Sequence, residues 1–409
     1  MNTYPDTWEK TTLDQFGEVV SGGTPDRNNP AYWKGEIPWV TPSEITTNTG
    51  KYLYDTREKI TKAGLNASSA KLLPVNSLLI TSRATLGEIA IAAIPVSTNQ
   101  GFKSIIPNND TDPVFAYYLI KTLKGEMVRL SSGTTFLEIS KGDFSRIVAR
   151  RPQLPEQTRI AYVLDAIDEA IAKTEALIAK LKQVRAGMLH DLLSYGLDEN
   201  GQLRDPIAHP EQFKDSPLGW IPKEWDVVPC REVIKLTSGL PKTQRDLLSE
   251  KGGNIPVYGG NGITGYTAQP LIKTSTVVIG RVGEYCGKVH LTPELSWVTD
   301  NALFIKDLKQ DLTMRFLYNY FDWSDLTKLQ SATGQPLITQ SGVGEVLIPC
   351  PKINEQNAIV TAIESYDLLM HKEQKELLKI KSLKSGLQDD LLTGRVRVPE
   401  TIVEGAAGA

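Results

Sequence analysis

Apolar side chains recur along residues 156–195 at Ile160, Leu164, Ile167, Ile171, Ile178 and Leu181, in steps of four and three, with Thr174 filling the one polar place. The same beat returns along 351–395 at Ile359, Ile363, Tyr366, Met370, Leu377 and Ile380, where Glu373 is the exception. A four-three rhythm draws one stripe down a helix, and its period is that of a coiled-coil seam. Neither stretch carries an internal proline. Pro155 sits in a first turn, where its missing N–H is one that no helix would use, and Glu156 suits the positive end of the helix dipole. Two continuous helices are predicted, each of roughly 38 residues and, at ~1.5 Å per residue, about 57 Å long. Elsewhere the pattern changes: short β-branched and aromatic runs such as LLIT, KSII, TVVIG and ALFI alternate with Gly, Asn and Ser turns, then give way to helical patches at FAYYLIKTL and MRFLYNYF. These are mixed α/β modules, and Asn261-Gly262 in VYGGNGITGY marks a tight turn.

The chain repeats itself. PQLPEQTRI at 152–160 and PKINEQNAI at 351–359 align at an offset of 199, which still holds where Gly187 meets Gly386 and Asp191-Leu192-Leu193 meets Asp390-Leu391-Leu392. Upstream the offset is 217, pairing Pro5 and Trp8 with Pro222 and Trp225, and Ser21-Gly22 with Ser238-Gly239. The first copy therefore holds a net surplus of 18 residues. Between these anchors the copies stay collinear but differ in content, as in STNQGF against VTDNALF. The order is a first globule at 1–155, a helix at 156–195, a Pro- and Gly-rich linker at 196–221, a second globule at 222–350, a second helix at 351–395 and a flexible tail at 396–409. A heptad stripe needs a partner, and the related helix is the obvious one. The expected fold class is α+β, with two mixed α/β domains separated by two long helices that form an antiparallel coiled coil about a pseudo-two-fold axis. The alternative is that each helix packs only on its own globule.

Composition removes several function classes. At 409 residues, 40% hydrophobic and 23% charged, the chain is globular and too long for one core. The N-terminus lacks a secretory apolar stretch and no run approaches the ~18 apolar residues of a membrane span, so a cytoplasmic protein with no membrane partner is expected. Cys230, Cys286 and Cys350 are too scattered for a zinc site or disulfide framework, and the four histidines form no ligand pair, so no metal is expected. GRVGEYCGKV has the wrong glycine spacing for a phosphate loop, with Val289 where a hydroxyl is needed, and no G-x-G-x-x-G or H-E-x-x-H occurs. No catalytic constellation stands out. A formal charge of −3 argues against a protein that holds nucleic acid by bulk positive charge alone.

The duplicated LPEQ and INEQ helix starts, the paired GMLHDLLSYG and GLQDDLLTGRV helix ends, SPLGWIPKEWDV, and VYGGNGITGY followed by IGRVGEYCG together resemble the specificity subunit of type I restriction-modification enzymes, over nearly the whole chain. INEQ departs from LPEQ by losing the proline while keeping the polar pair. The resemblance implies that the globules are target-recognition domains reading the two halves of an asymmetric bipartite sequence in double-stranded DNA, held apart by the helices. It also implies a chain without catalysis or cofactor of its own. Two modification subunits would bring the methyltransferase site with its S-adenosylmethionine, and restriction subunits often join them. Consistently, the sequence has no N-P-P-[FY] or D-P-P-[YF] tetrad. Two readers on one side of B-DNA sit about one helical turn, roughly 34–36 Å, or a multiple apart, which makes the helices a ruler.

Base reading needs donors and acceptors on loops, with Arg for guanine and Asn or Gln for adenine. The first globule offers Thr24, Arg27, Thr41, Ser43, Arg83, Asn99, Gln100, Thr134 and Thr135. The second offers Lys242, Gln244, Arg245, Tyr258, Asn261, Arg281, Asn301 and Gln335. Arg83 and Arg281 stand out because each follows an apolar strand and precedes a glycine turn at corresponding places. The other reading of such loop residues is that they satisfy their own backbone. The competing function is a coiled-coil scaffold joining two ligand-binding or protein-binding modules, with no role for DNA.

Overall fold

A computed structural model describes residues 4–48, 50–133, 137–250, 252–308, 311–331 and 334–402. It divides into two units, one formed by Met1–Glu175 with Glu376–Ala409 and the other by Ala176–Lys375. Each unit therefore holds one globule, the first half of the helix that follows that globule, and the second half of the other helix.

The two globules share a sheet plan. In the first, Gly17–Ser21, Lys103–Pro107, Leu78–Ile80 and Ile89–Ala92 run antiparallel in that spatial order, and Tyr52–Leu53 adds a parallel fifth strand at the edge. In the second, Ile234–Ser238, Ala302–Leu308, Val277–Gly280 and Val289–Leu291 make the same antiparallel order, with no fifth strand among the described residues. Each globule has a second, three-stranded sheet: Trp33–Val40 between Glu58–Ile60 and Ser97–Thr98, and Ile255–Gly259 between Gly262–Thr267 and Trp297–Val298. The shared Ser-Gly pair has a steric origin. A Cβ on Gly22 would lie 1.9 Å from the Asn99 carbonyl oxygen, and one on Gly239 would lie 2.1 Å from that of Val298, so neither position tolerates a side chain.

A short ladder closes each globule just before its helix, Glu9–Thr12 on Val148–Arg151 and Asp226–Pro229 on Leu347–Cys350. The long helices then run over Leu154–Ser194 and Ile353–Thr393. Their starts join their own globules: Ile160 and Leu164 lie in one core with Trp8, Phe16 and Phe115, while Ile359 and Ile363 lie in another with Trp225, Phe316 and Phe321. Their ends are exchanged. Leu391 and Leu392 of the second helix complete the first core, and Leu189, Leu192 and Leu193 of the first helix complete the second. Each buried leucine contributes about 1.5–3 kcal/mol, so neither globule is finished by its own sequence segment alone.

The helices pair antiparallel within both units. In the first, Asp168 meets Lys384 and Glu175 meets Lys381 (2.7 Å), so positions climb on one helix as they descend on the other. In the second, Arg185 makes a forked pair with Asp367, one arm at 3.0 Å. Along the seam, Ile160, Leu164, Ile178, Ile359 and Ile363 are buried, and Ile167, Ile171, Leu181, Tyr366, Met370, Leu377 and Ile380 are half-buried. Thr174 is accommodated because its hydroxyl donates to the Ala170 carbonyl one turn earlier (2.8 Å). The reading in which each helix packs on its own globule alone does not describe this structure. Within 196–221, Leu197 is buried and Phe213–Ser216 forms a hairpin with Gly219–Pro222.

Candidate nucleic-acid interface

The repeated Glu-Gln pair locks each globule to its helix. Gln157 is buried and its amide is fully engaged, accepting from the Asp112 N–H (3.0 Å) and donating to the carbonyls of Asp110 (3.0 Å) and Pro152 (2.9 Å). Gln356 repeats this with the Thr313 N–H and the carbonyls of Asp311 and Pro351, all at 2.8 Å. Asp112 and Thr313 cap the helices Pro113–Thr122 and Met314–Ser324, so the amide fixes the long helix against a helix of the globule. The preceding glutamate reaches further along the chain. Glu156 forks onto Arg397, beyond the end of the second helix, while Glu355 takes Arg204, beyond the end of the first. Sequence inspection found this polar pair but not its partners, which lie 151 and 241 positions away.

On the first globule most candidate readers bond to one another or to their own backbone. Thr24 donates to Gln100, Asn99 accepts from the Gly101 N–H (2.8 Å), and the Thr41 amide donates to Glu44 (2.7 Å) while its hydroxyl meets that of Ser43 (2.9 Å). Arg27 forks onto Glu58 (one arm 3.0 Å) and stands over Trp33, its guanidinium carbon 4.0 Å from the ring centre. That hydrogen bond raises the arginine pKa and lowers that of Glu58. Arg83 differs: it is exposed, and among the described residues its side chain makes no hydrogen bond. It adjoins Ala84, whose φ of 62° places the backbone in the left-handed region. Thr134 and Thr135 lie outside the described residues.

On the second globule five of the eight candidates converge. Lys242, Gln244, Asn261, Asn301 and Gln335 line one open cleft of about 430 Å3, together with Gly259, Gly260, Thr299 and Tyr285. The hairpin Ile255–Gly259 to Gly262–Thr267 builds its floor, with Gly260-Asn261 as the two-residue turn and Gly262 at φ 90°. Lys242 is held with its ammonium 4.0 Å from the centre of the Trp297 ring, a cation–π contact. The hydroxyl of Thr299 is buried without a partner among the described residues. The remaining three stand apart from this wall. Arg245 is exposed in the short turn Gln244–Asp246. Tyr258 is buried beside His290, and burial raises its phenol pKa. Arg281 is half-buried and donates to the Ser238 hydroxyl (2.9 Å), although it corresponds in sequence to the open Arg83. Thr299 and Tyr285 were missed as cleft residues, and Trp297 as the support of Lys242, since a single such side chain carries no periodic mark; the glycine-rich stretch at 259–262 was the available signal.

Comparison with known proteins decides the family. The family model for the type I restriction modification DNA specificity domain matches residues 5–183 and again 222–381. The chain belongs to this family. It is 24% identical over 388 residues to the EcoprrI type I restriction enzyme specificity subunit of Escherichia coli, covering 90% of each chain. It is 29% identical over 248 residues to the MjaIX specificity subunit of Methanocaldococcus jannaschii, spanning 60% of this chain and 56% of that one. Among solved structures, the type I restriction-modification S subunit from M. genitalium superposes with a TM-score of 0.59 at 20% identity, covering 96% of this chain and 97% of that one. The HsdS subunit from Thermoanaerobacter tengcongensis gives 0.53 at 17%, covering 96% and 98%. These structural likenesses concern the fold. By family membership the chain is a DNA-specificity component, non-catalytic in itself. No helix among the described residues is long and apolar enough to cross a membrane.

Proposed function

We propose that this chain names an asymmetric bipartite target in double-stranded DNA for a cytoplasmic type I restriction-modification complex, each globule reading one half. The observation that carries this reading is the pairing of sameness with difference: both helix starts use one glutamine lock, while the surfaces they carry diverge, with an open Arg83 on one and an amide-lined cleft on the other. A shared frame with unlike contents suits two unlike half-sites and an unread middle. The helices set the spacing. Methylation belongs to modification subunits, two per specificity chain, which bring S-adenosylmethionine; restriction subunits add cleavage where present.

Docking of such partners is supported within the first unit by the second helix's Leu378 and Leu383, which are 69% and 68% exposed. The net charge of −3 fits the same division of labour: phosphate neutralisation supplies most nonspecific affinity, and partner subunits supply it here. Titration of labelled duplex with the chain alone and with its modification subunits tests this. Weak binding alone and tight, selective binding in the complex are expected; tight selective binding by the lone chain would count against it.

A further inference from the structure

The second globule's cleft has a chemistry narrower than "DNA-reading". Its wall holds four side-chain amides, Gln244, Asn261, Asn301 and Gln335, and among the described residues none of these amides makes a hydrogen bond. That sets them apart from Gln157, Gln330 and Gln356, whose amides are all bonded to backbone groups. Among the described residues the wall includes no aspartate or glutamate and no arginine. Among those residues its one charge is Lys242, pinned over Trp297, and Arg281 is turned to Ser238 instead.

Each base edge asks for a different partner in the major groove. Guanine presents two acceptors and suits a free Arg or Lys fork; cytosine presents a donor and suits a carboxylate; adenine presents a donor at N6 beside an acceptor at N7, which a single Asn or Gln amide matches with both its groups. Among the described residues the cleft has neither arginine nor carboxylate, and its one lysine stacks on Trp297 while keeping its charge for a neighbouring phosphate. We infer that the second globule selects an adenine through its N6 and N7 edge, with Asn261 and Asn301 as the specificity-determining pair and Lys242 set for an adjoining phosphate. Asn261 sits at the tip of a two-residue turn and Asn301 just before the strand Ala302–Leu308, so rigid sheet holds both. This deepens the proposed DNA-reading role and rests on it.

The test uses the full chain assembled with its modification subunits and a randomised duplex library, followed by affinities for the selected target. The wild-type complex is expected to require an adenine in one half-site. Asn261→Ala with Asn301→Ala should weaken the preference for it by about 5- to 150-fold, with the other half-site still selected as before, which shows that the complex remains folded. Replacing that adenine with 7-deazaadenine, which removes the N7 acceptor, should weaken wild-type binding and leave the double variant unaffected. An undiminished adenine preference in the double variant, or indifference of the wild type to 7-deazaadenine, overturns this inference while the DNA-reading role stands. A wild-type complex that selects no sequence overturns both.

Discussion

The two units close around their glutamates differently. In the second, Glu355 and Arg204 are both deeply buried, with side chains 9% and 10% exposed, and the Trp225 indole N–H also donates to Glu355 (3.1 Å). In the first, Glu156 is as buried at 8%, but its partner Arg397 is 49% exposed and the corresponding Trp8 indole N–H has no partner among the described residues. One sequence motif thus supports a sealed clasp and a half-open one. The difference teaches that the duplicated helix start fixes the glutamine lock, whereas the chain that comes back to meet the glutamate is free to vary.

That contrast can be broken at the clasp itself. Glu355→Ala strands a buried guanidinium and should cost about 3–5 kcal/mol in denaturant unfolding. Glu156→Ala leaves Arg397 access to water and should cost less, about 1.5–3 kcal/mol. Equal losses would erase the distinction. Next in size are the exchanged helix ends, where Leu192→Ala and Leu391→Ala should each cost about 2–5 kcal/mol. Hydrogen exchange locates the damage: Leu192→Ala is expected to deprotect strands of the second globule, and Leu391→Ala those of the first. Deprotection of the globule on the same side in sequence would contradict the exchange.

Smaller and symmetric effects are expected from the lock. Gln157→Ala and Gln356→Ala each orphan one backbone N–H and two carbonyls, and each should cost about 1–3 kcal/mol. A marked inequality between them would show that the lock, too, has diverged. Finally, Arg83→Ala should lower base discrimination in the first half-site about 5- to 150-fold, read by competition binding of the assembled complex. Arg281→Ala should act on the packing around Ser238 more than on base choice. The reverse ranking would return Arg281 to the reading surface.

The helices were legible because their apolar period persists over many turns, and the duplication because its offset never slips from Gln157 to Leu193. The exchange of helix ends was half visible. Asp191-Leu192-Leu193 and its copy were conspicuous as repeats, but nothing local tells a leucine which core it enters. Arg204 was hidden in a stretch whose prolines and glycines mark it as a connection, and its role depends on a glutamate far along the chain. Among the loop candidates, residue type was readable and occupation was not. Arg83 and Arg281 sit at matched positions, yet Arg281 donates to Ser238 while, among the described residues, Arg83 makes no such bond to the matching Ser21.

The most direct test is to map the methylated positions in the DNA of cells that make this chain with its modification subunits. Two short, unlike sequence blocks separated by a fixed run of indifferent bases are expected, with one block altered when Asn261 and Asn301 are both replaced by alanine. A palindromic or uninterrupted target, or a gap of variable length, would contradict the account.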